Sequence, residues 1–140
     1  MKRVLIADDE PIERMIVTRT IQKYFPEELA VVSAVNGREA VEQFFAENCQ
    51  IALLDIEMPG MNGLEAAEQI RERDKNCSII FLTAFDEFNY AKRAIAVRAM
   101  EYLLKPVEDQ ELEAVLAEAI RIADEHTRSE ERRVGKECRS

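Results

Sequence analysis

Five short apolar runs recur along this chain, each followed by a longer stretch in which apolar residues return at three- and four-residue spacing. The runs are Arg3 to Ala7, Ala30 to Ala34, Ile51 to Leu54, Ser78 to Leu82 and Glu101 to Leu104. Several are apolar at nearly every position, so both faces must be buried, which is the condition of a parallel strand covered by helices on each side. The helices are expected over about Pro11 to Tyr24, Gly37 to Glu47, Gly63 to Arg73, Asp86 to Val97 and Asp109 to Glu125. Strands alternating with helices in this way predict an α/β domain built on a parallel sheet, covering residues 1–127. A chain of 140 residues suffices to bury its own core.

Local signals support these elements. Leu112, Val115, Leu116, Ala119, Ile120 and Ala123 form one stripe of the last helix, with Asp109 placed to cap its N-terminus. Pro11 suits the first turn of its helix, where an N–H has no partner to lose. In that helix Ile12, Met15, Ile16 and Arg19 form a stripe that is apolar at its start. Asn36-Gly37, Pro59-Gly60-Met61-Asn62-Gly63 and Asp74-Lys75-Asn76 punctuate the chain as turns. From Arg128 to Ser140 the sequence RSEERRVGKECRS has no periodicity and a single isolated valine. It resembles the translation of a sequencing-library adapter, so residues 128–140 are expected to be a disordered, non-native tail, with a charged linker as the alternative.

Charge and cysteine usage exclude several functions. With 19 basic and 28 acidic residues the net charge is −9, which disfavours binding to nucleic acid or an anionic membrane by electrostatics. No apolar run reaches membrane-spanning length, and a cytoplasmic location is expected. Cys49, Cys77 and Cys138 are widely spaced, without a zinc or disulfide pattern, and the single histidine, His126, reads as a solvated helix-end residue. Met58, Met61 and Met100 read as adaptable packing.

In an open parallel sheet ligands gather beyond the carboxyl ends of the strands. Here those ends carry Asp8-Asp9-Glu10 after the first strand, Asp55 after the third, Thr83 after the fourth and Lys105-Pro106 after the fifth. Any one acid alone would read as a cap or a solvated loop residue. Three carboxylates at one edge repel each other, and a hard divalent cation is the simplest way to keep them charged together. Magnesium suits a set of carboxylates and phosphate oxygens; the DxDxDG pattern of a calcium loop is absent. Lys105 supplies a point charge and Thr83 a hydroxyl for an incoming phosphoryl oxygen.

VLIADDE (4–10), LLDIEMPGMNGLE (53–65), IIFLTAF (79–85) and YLLKPV (102–107), in this order, resemble the response-regulator receiver family from Lys2 to about Ala123. The resemblance implies a flavodoxin-like, doubly wound five-stranded parallel sheet of order 2-1-3-4-5 with five helices. It further implies that Asp55 is the phosphoacceptor, that Asp9 and Asp55 bind Mg2+ directly, that Asp8 holds a metal-bound water, and that Glu57 lends its backbone carbonyl. Thr83 and Lys105 would then assist phosphoryl transfer from a sensor histidine kinase, and Thr83 and Tyr102 would form the switch. For Tyr102 by itself, simple packing is the default. The family often has glycine where this chain has Arg98, so a strained backbone is expected there if that position needs a positive φ. Phe85 to Ala94 is similar to receivers that precede AraC-type DNA-binding domains. Two readings stay open: a receiver cut from a transcription regulator, binding DNA only through a missing C-terminal domain and able to dimerise on phosphorylation, or a stand-alone receiver acting by protein docking. A phosphatase using an aspartyl phosphate would need DxDxT, whereas this chain reads Asp55-Ile56-Glu57-Met58-Pro59.

Overall fold

In the computed structural model, the backbone is described for residues 1–139 and side chains for residues 1–129. Strands and helices alternate: β1 (Lys2–Ala7), α1 (Pro11–Tyr24), β2 (Leu29–Ala34), α2 (Gly37–Ala46), β3 (Ile51–Leu54), α3 (Gly63–Arg73), β4 (Ser78–Thr83), α4 (Phe88–Ala96), β5 (Glu101–Leu104) and α5 (Asp109–Arg139). All four strand pairings are parallel, in the order β2-β1-β3-β4-β5. This is the flavodoxin-like sheet that the family resemblance implies. Strand order reverses between β1 and β3, so the crevice beyond their carboxyl ends is the natural ligand site.

Alternation within each strand splits the core in two. Leu5, Ala52, Leu54, Ile79 and Phe81 turn to one face, where Phe44 of α2 and Leu64 and Ile70 of α3 cover them. Val4, Ile6, Ile51, Leu53, Ile80 and Leu82 turn to the other and meet Val17 and Ile21 of α1 and Leu112, Leu116 and Ala119 of α5. Each fully buried leucine or isoleucine contributes roughly 1.5–3 kcal/mol by leaving water. β3 and β4 are buried at every position, which accounts for their continuous apolar runs.

Caps set the helix starts. Asn62 and Glu65 form a reciprocal capping box at α3, and the Asn36 side chain accepts from the Glu39 N–H at α2. Pro11 occupies the first turn of α1 as expected.

Several local expectations are corrected. The buried face of α1 is Val17, Thr20 and Ile21, while Ile12, Met15 and Ile16 are exposed. Asp109 is the first residue of α5 and not its cap; its carboxylate instead accepts from the Thr20 hydroxyl at 3.3 Å. α4 starts at Phe88, two residues later than predicted, because Glu87 is extended and makes no side-chain cap. α5 runs on past Glu125 to Arg139. Arg98 has φ +56°, the left-handed conformation that the departure from glycine anticipated, at a penalty of about 1 kcal/mol.

Candidate functional site

Hydrogen bonds beyond the strands bring the chemistry-bearing residues to one edge. The Asp8 N–H donates to Ala34 O at 3.2 Å, Asp55 N–H to Ala7 O at 2.9 Å and Lys105 N–H to Thr83 O at 2.8 Å. Each bond extends a ladder by one residue, so Asp8, Asp55 and Lys105 leave neighbouring strands side by side. A carboxylate oxygen from each of Asp8, Asp9 and Asp55 lies within 4.8 Å of the others, the one such cluster among the described residues. The donors are hard oxygens and no thiol or imidazole joins them, so the set fits a small hard dication. Lys105 Nζ stands 2.9 Å from Asp8 Oδ2, 3.6 Å from Asp55 Oδ2 and 3.8 Å from Glu13 Oε2.

Asp9, Asp55, Glu57 and Lys105 line a cavity of about 580 Å³ that runs on between α1 and α5 past Ile16 and Leu112. Asp55 sits at its floor with a side chain 11 % exposed. Burial pushes its carboxyl up to about 6; Lys105 opposes the shift, Asp8 adds to it, the Ile56 N–H opposes it and Asp9 adds to it. Burial disfavours the Lys105 ammonium, but the hydrogen bond with Asp8 and the charges of Asp55, Asp8 and Glu13 outweigh it and raise the group. A buried carboxylate with a cation fixed beside it is chemically able to act as a nucleophile toward an electrophilic group.

Close backbone packing shapes the loop after Asp55. The Gly63 N–H donates to Ile56 O at 2.9 Å, and a methyl group on Gly63 would overlap the Asp55 carbonyl. Gly37 is pressed likewise against the Met61 carbonyl, to which its own N–H donates at 3.0 Å. These glycines carry no chemistry, but they allow α2 and α3 to approach the loop. Gly63→Ala is expected to lower stability by about 1–3 kcal/mol, because the overlap is with backbone that cannot turn aside. Urea unfolding checks this, and an unchanged midpoint would mean that the loop yields freely.

Thr83 closes β4 beside the cluster. It is fully buried, and its Oγ1 accepts from the Phe85 N–H at 3.3 Å. Tyr102 lies further out: its hydroxyl donates to the Phe85 carbonyl at 2.6 Å and its ring centroid is 6.3 Å from that of Phe81. Both residues therefore meet on the segment after β4. The Glu57 side chain is exposed and accepts from the Tyr90 hydroxyl of α4, a bond that pushes the phenol up to about 12.

Three participants escaped the sequence reading. Glu13 faces Lys105, and Arg14 donates to the Asp8 carbonyl at 2.7 Å; both follow the acidic run within one helical turn, which is the available signal. Tyr90 meets Glu57 across 33 positions of sequence, which no local pattern reveals.

Fold and pocket define a flavodoxin-like α/β domain with an acidic, cation-competent pocket at the carboxyl edge of its sheet. The chain belongs to the response regulator receiver domain family, which it matches over residues 4–117. It is 41 % identical over 118 residues to the positive alginate biosynthesis regulatory protein of Pseudomonas aeruginosa, covering 84 % of this chain and 47 % of that protein. It is 34 % identical over 120 residues to the uncharacterized transcriptional regulatory protein YesN of Bacillus subtilis, covering 86 % of this chain and 33 % of the relative. The response regulator TrrA of Thermotoga maritima, solved in complex with Mg2+ and BeF, superposes with a TM-score of 0.76 at 38 % identity, covering 85 % of this chain and 99 % of that one. The chain thus spans less than half the length of these two curated relatives. Among the described residues, no helix is long and apolar enough to cross a membrane.

Proposed function

We propose that this domain accepts a phosphoryl group on Asp55 and passes the resulting charge change to an output. The observation that carries the reading is the juxtaposition of a buried carboxylate, two further aspartates and one lysine at a single sheet edge. Asp9 and Asp55 would hold Mg2+ directly, Asp8 through a water, and Glu57 through its backbone carbonyl. When bound, the dication neutralises charge on the aspartates and on the phosphoryl oxygens.

A carboxylate oxygen of Asp55 attacks phosphorus, the bond from phosphorus to the imidazole nitrogen of a histidine-kinase phosphohistidine breaks, and the imidazole leaves. Lys105, held by Asp8, is already within reach of Asp55 and offsets charge on the transferred group. The acyl phosphate adds negative charge and acceptor oxygens next to Thr83. Thr83, whose oxygen accepts from the Phe85 N–H, then donates its hydroxyl hydrogen to a phosphoryl oxygen, and Tyr102 gives up the Phe85 carbonyl and turns inward. The domain acts as a phosphoacceptor that takes part in its own transfer, not as a turnover enzyme.

The relatives named as regulatory proteins favour transcription as the output, with DNA contacted through a further domain, dimerisation following phosphorylation, and the whole acting in the cytoplasm. A stand-alone receiver that docks to a protein is the second reading, favoured by the exposed Phe88 and Ile95 of α4.

Acetyl phosphate with Mg2+ tests the central step by intact mass. Wild type is expected to gain one phosphoryl group, and the gain disappears on chelation. Labelling that persists after chelation, or that is undiminished in Asp55→Asn, overturns the assignment.

A further inference from the structure

α4 is tied to the far side of the Asp55 loop by two contacts three residues apart. The Tyr90 hydroxyl donates to a Glu57 carboxylate oxygen, and Arg93 pairs with Glu68 of α3. That spacing puts both anchors on one face of α4. Glu57 follows Asp55 by two residues and lines the same cavity as Asp9, Asp55 and Lys105. It is exposed, so without a partner its side chain is free to change rotamer into that cavity. There it would add to the negative charge that Asp9, Asp55 and Glu13 already present in the same cavity. A further carboxylate has opposite effects on the two species this pocket must take: it attracts a dication and repels an anionic phosphodonor.

We propose that Tyr90 is a positioning residue whose hydroxyl holds the Glu57 carboxylate on the α4 side of the cavity, leaving the approach to Asp55 open for the phosphodonor. The proposal rests on the phosphoacceptor reading above. Arg93, one turn further along the same face of α4, pairs with Glu68 of α3. Tyr90→Phe keeps the ring and removes only the hydroxyl that restrains Glu57.

The test titrates Mg2+ alone by calorimetry into wild type, Tyr90→Phe, Glu57→Gln and the double variant, and then follows labelling by acetyl phosphate at saturating Mg2+. Tyr90→Phe is expected to bind Mg2+ roughly fivefold more tightly and to be labelled roughly fivefold more slowly, the effect in water of one unit charge about 8 Å from a doubly charged species. In the Glu57→Gln background the same substitution changes neither quantity. An unchanged Kd in Tyr90→Phe, or a shift that survives without the Glu57 charge, overturns the positioning role. A wild type that binds no Mg2+ overturns the phosphoacceptor reading itself, so the two failures are distinct.

Discussion

Asp55→Asn is expected to be more stable than wild type by about 2–3 kcal/mol in metal-free buffer at pH 8. Burial raises the Asp55 carboxyl from its ordinary value of 3.8 to about 6, so the folded protein holds this group ionised at a penalty. A shift of about two pH units corresponds to roughly 3 kcal/mol. Because the folded state binds the proton more tightly than the unfolded one, stability from this group falls as pH rises from about 4 to about 6. Above 6 the whole penalty is present; below the unfolded value it vanishes. The difference between Asn variant and wild type should therefore be fully developed at pH 8 and shrink towards zero near pH 4.

Urea midpoints of the two proteins at pH 8, 6 and 4.5 with a chelator measure this difference. Adding Mg2+ should reverse the order at pH 8, since a ligand bound to the folded state alone stabilises wild type by mass action while the Asn variant has lost a ligating charge. A difference that is absent at pH 8, or constant across the pH range, would show that Lys105 and solvent already compensate the buried charge.

The same crowding explains why so much of this site could be read from sequence. Asp8, Asp9, Asp55, Thr83 and Lys105 all fall at strand ends, and a strand end is marked by the halt of an apolar run. Once β3 and β4 are recognised as buried on both faces, parallel topology leaves one edge where those residues can meet. What local pattern could not decide is which of two faces a helix turns inward. In α1 the stripe Ile12, Met15, Ile16 is apolar, yet Val17, Thr20 and Ile21 are the buried set. The short connection from Asp8 to Pro11 fixes how α1 leaves the edge, and that orientation is tertiary. The Tyr90–Glu57 contact depends on the docking of α4 against the loop after β3, so it became visible only with the fold.

Arg71→Met should destabilise the fold by about 3 kcal/mol, the second large effect expected. Arg71 lies on the stripe of Leu64 and Ala67 in α3 and is only 8 % exposed. Its guanidinium donates to four backbone carbonyls: Val97 at 2.7 Å, Cys77 at 2.8 Å, Arg98 at 3.2 Å and Asp74 at 3.3 Å. These acceptors belong to the turns before β4 and β5, so one side chain joins α3 to both. Replacing a buried ion pair with apolar groups can be neutral, because both charges leave together. Here the carbonyls stay behind, and each buried acceptor left unpaired costs about 1–3 kcal/mol, less whatever the removed cation regains. Arg71→Lys should recover less than half, since an ammonium cannot span the fork that reaches Val97 and Cys77 at once. Loss of the tether also frees the strained Arg98 turn, so amide exchange at Ala99 and Met100 should accelerate more than global destabilisation requires. Urea unfolding with hydrogen exchange resolves the two effects. A variant within about 0.5 kcal/mol of wild type would place Arg71 among ordinary surface residues and assign the joining of these turns to the apolar core alone.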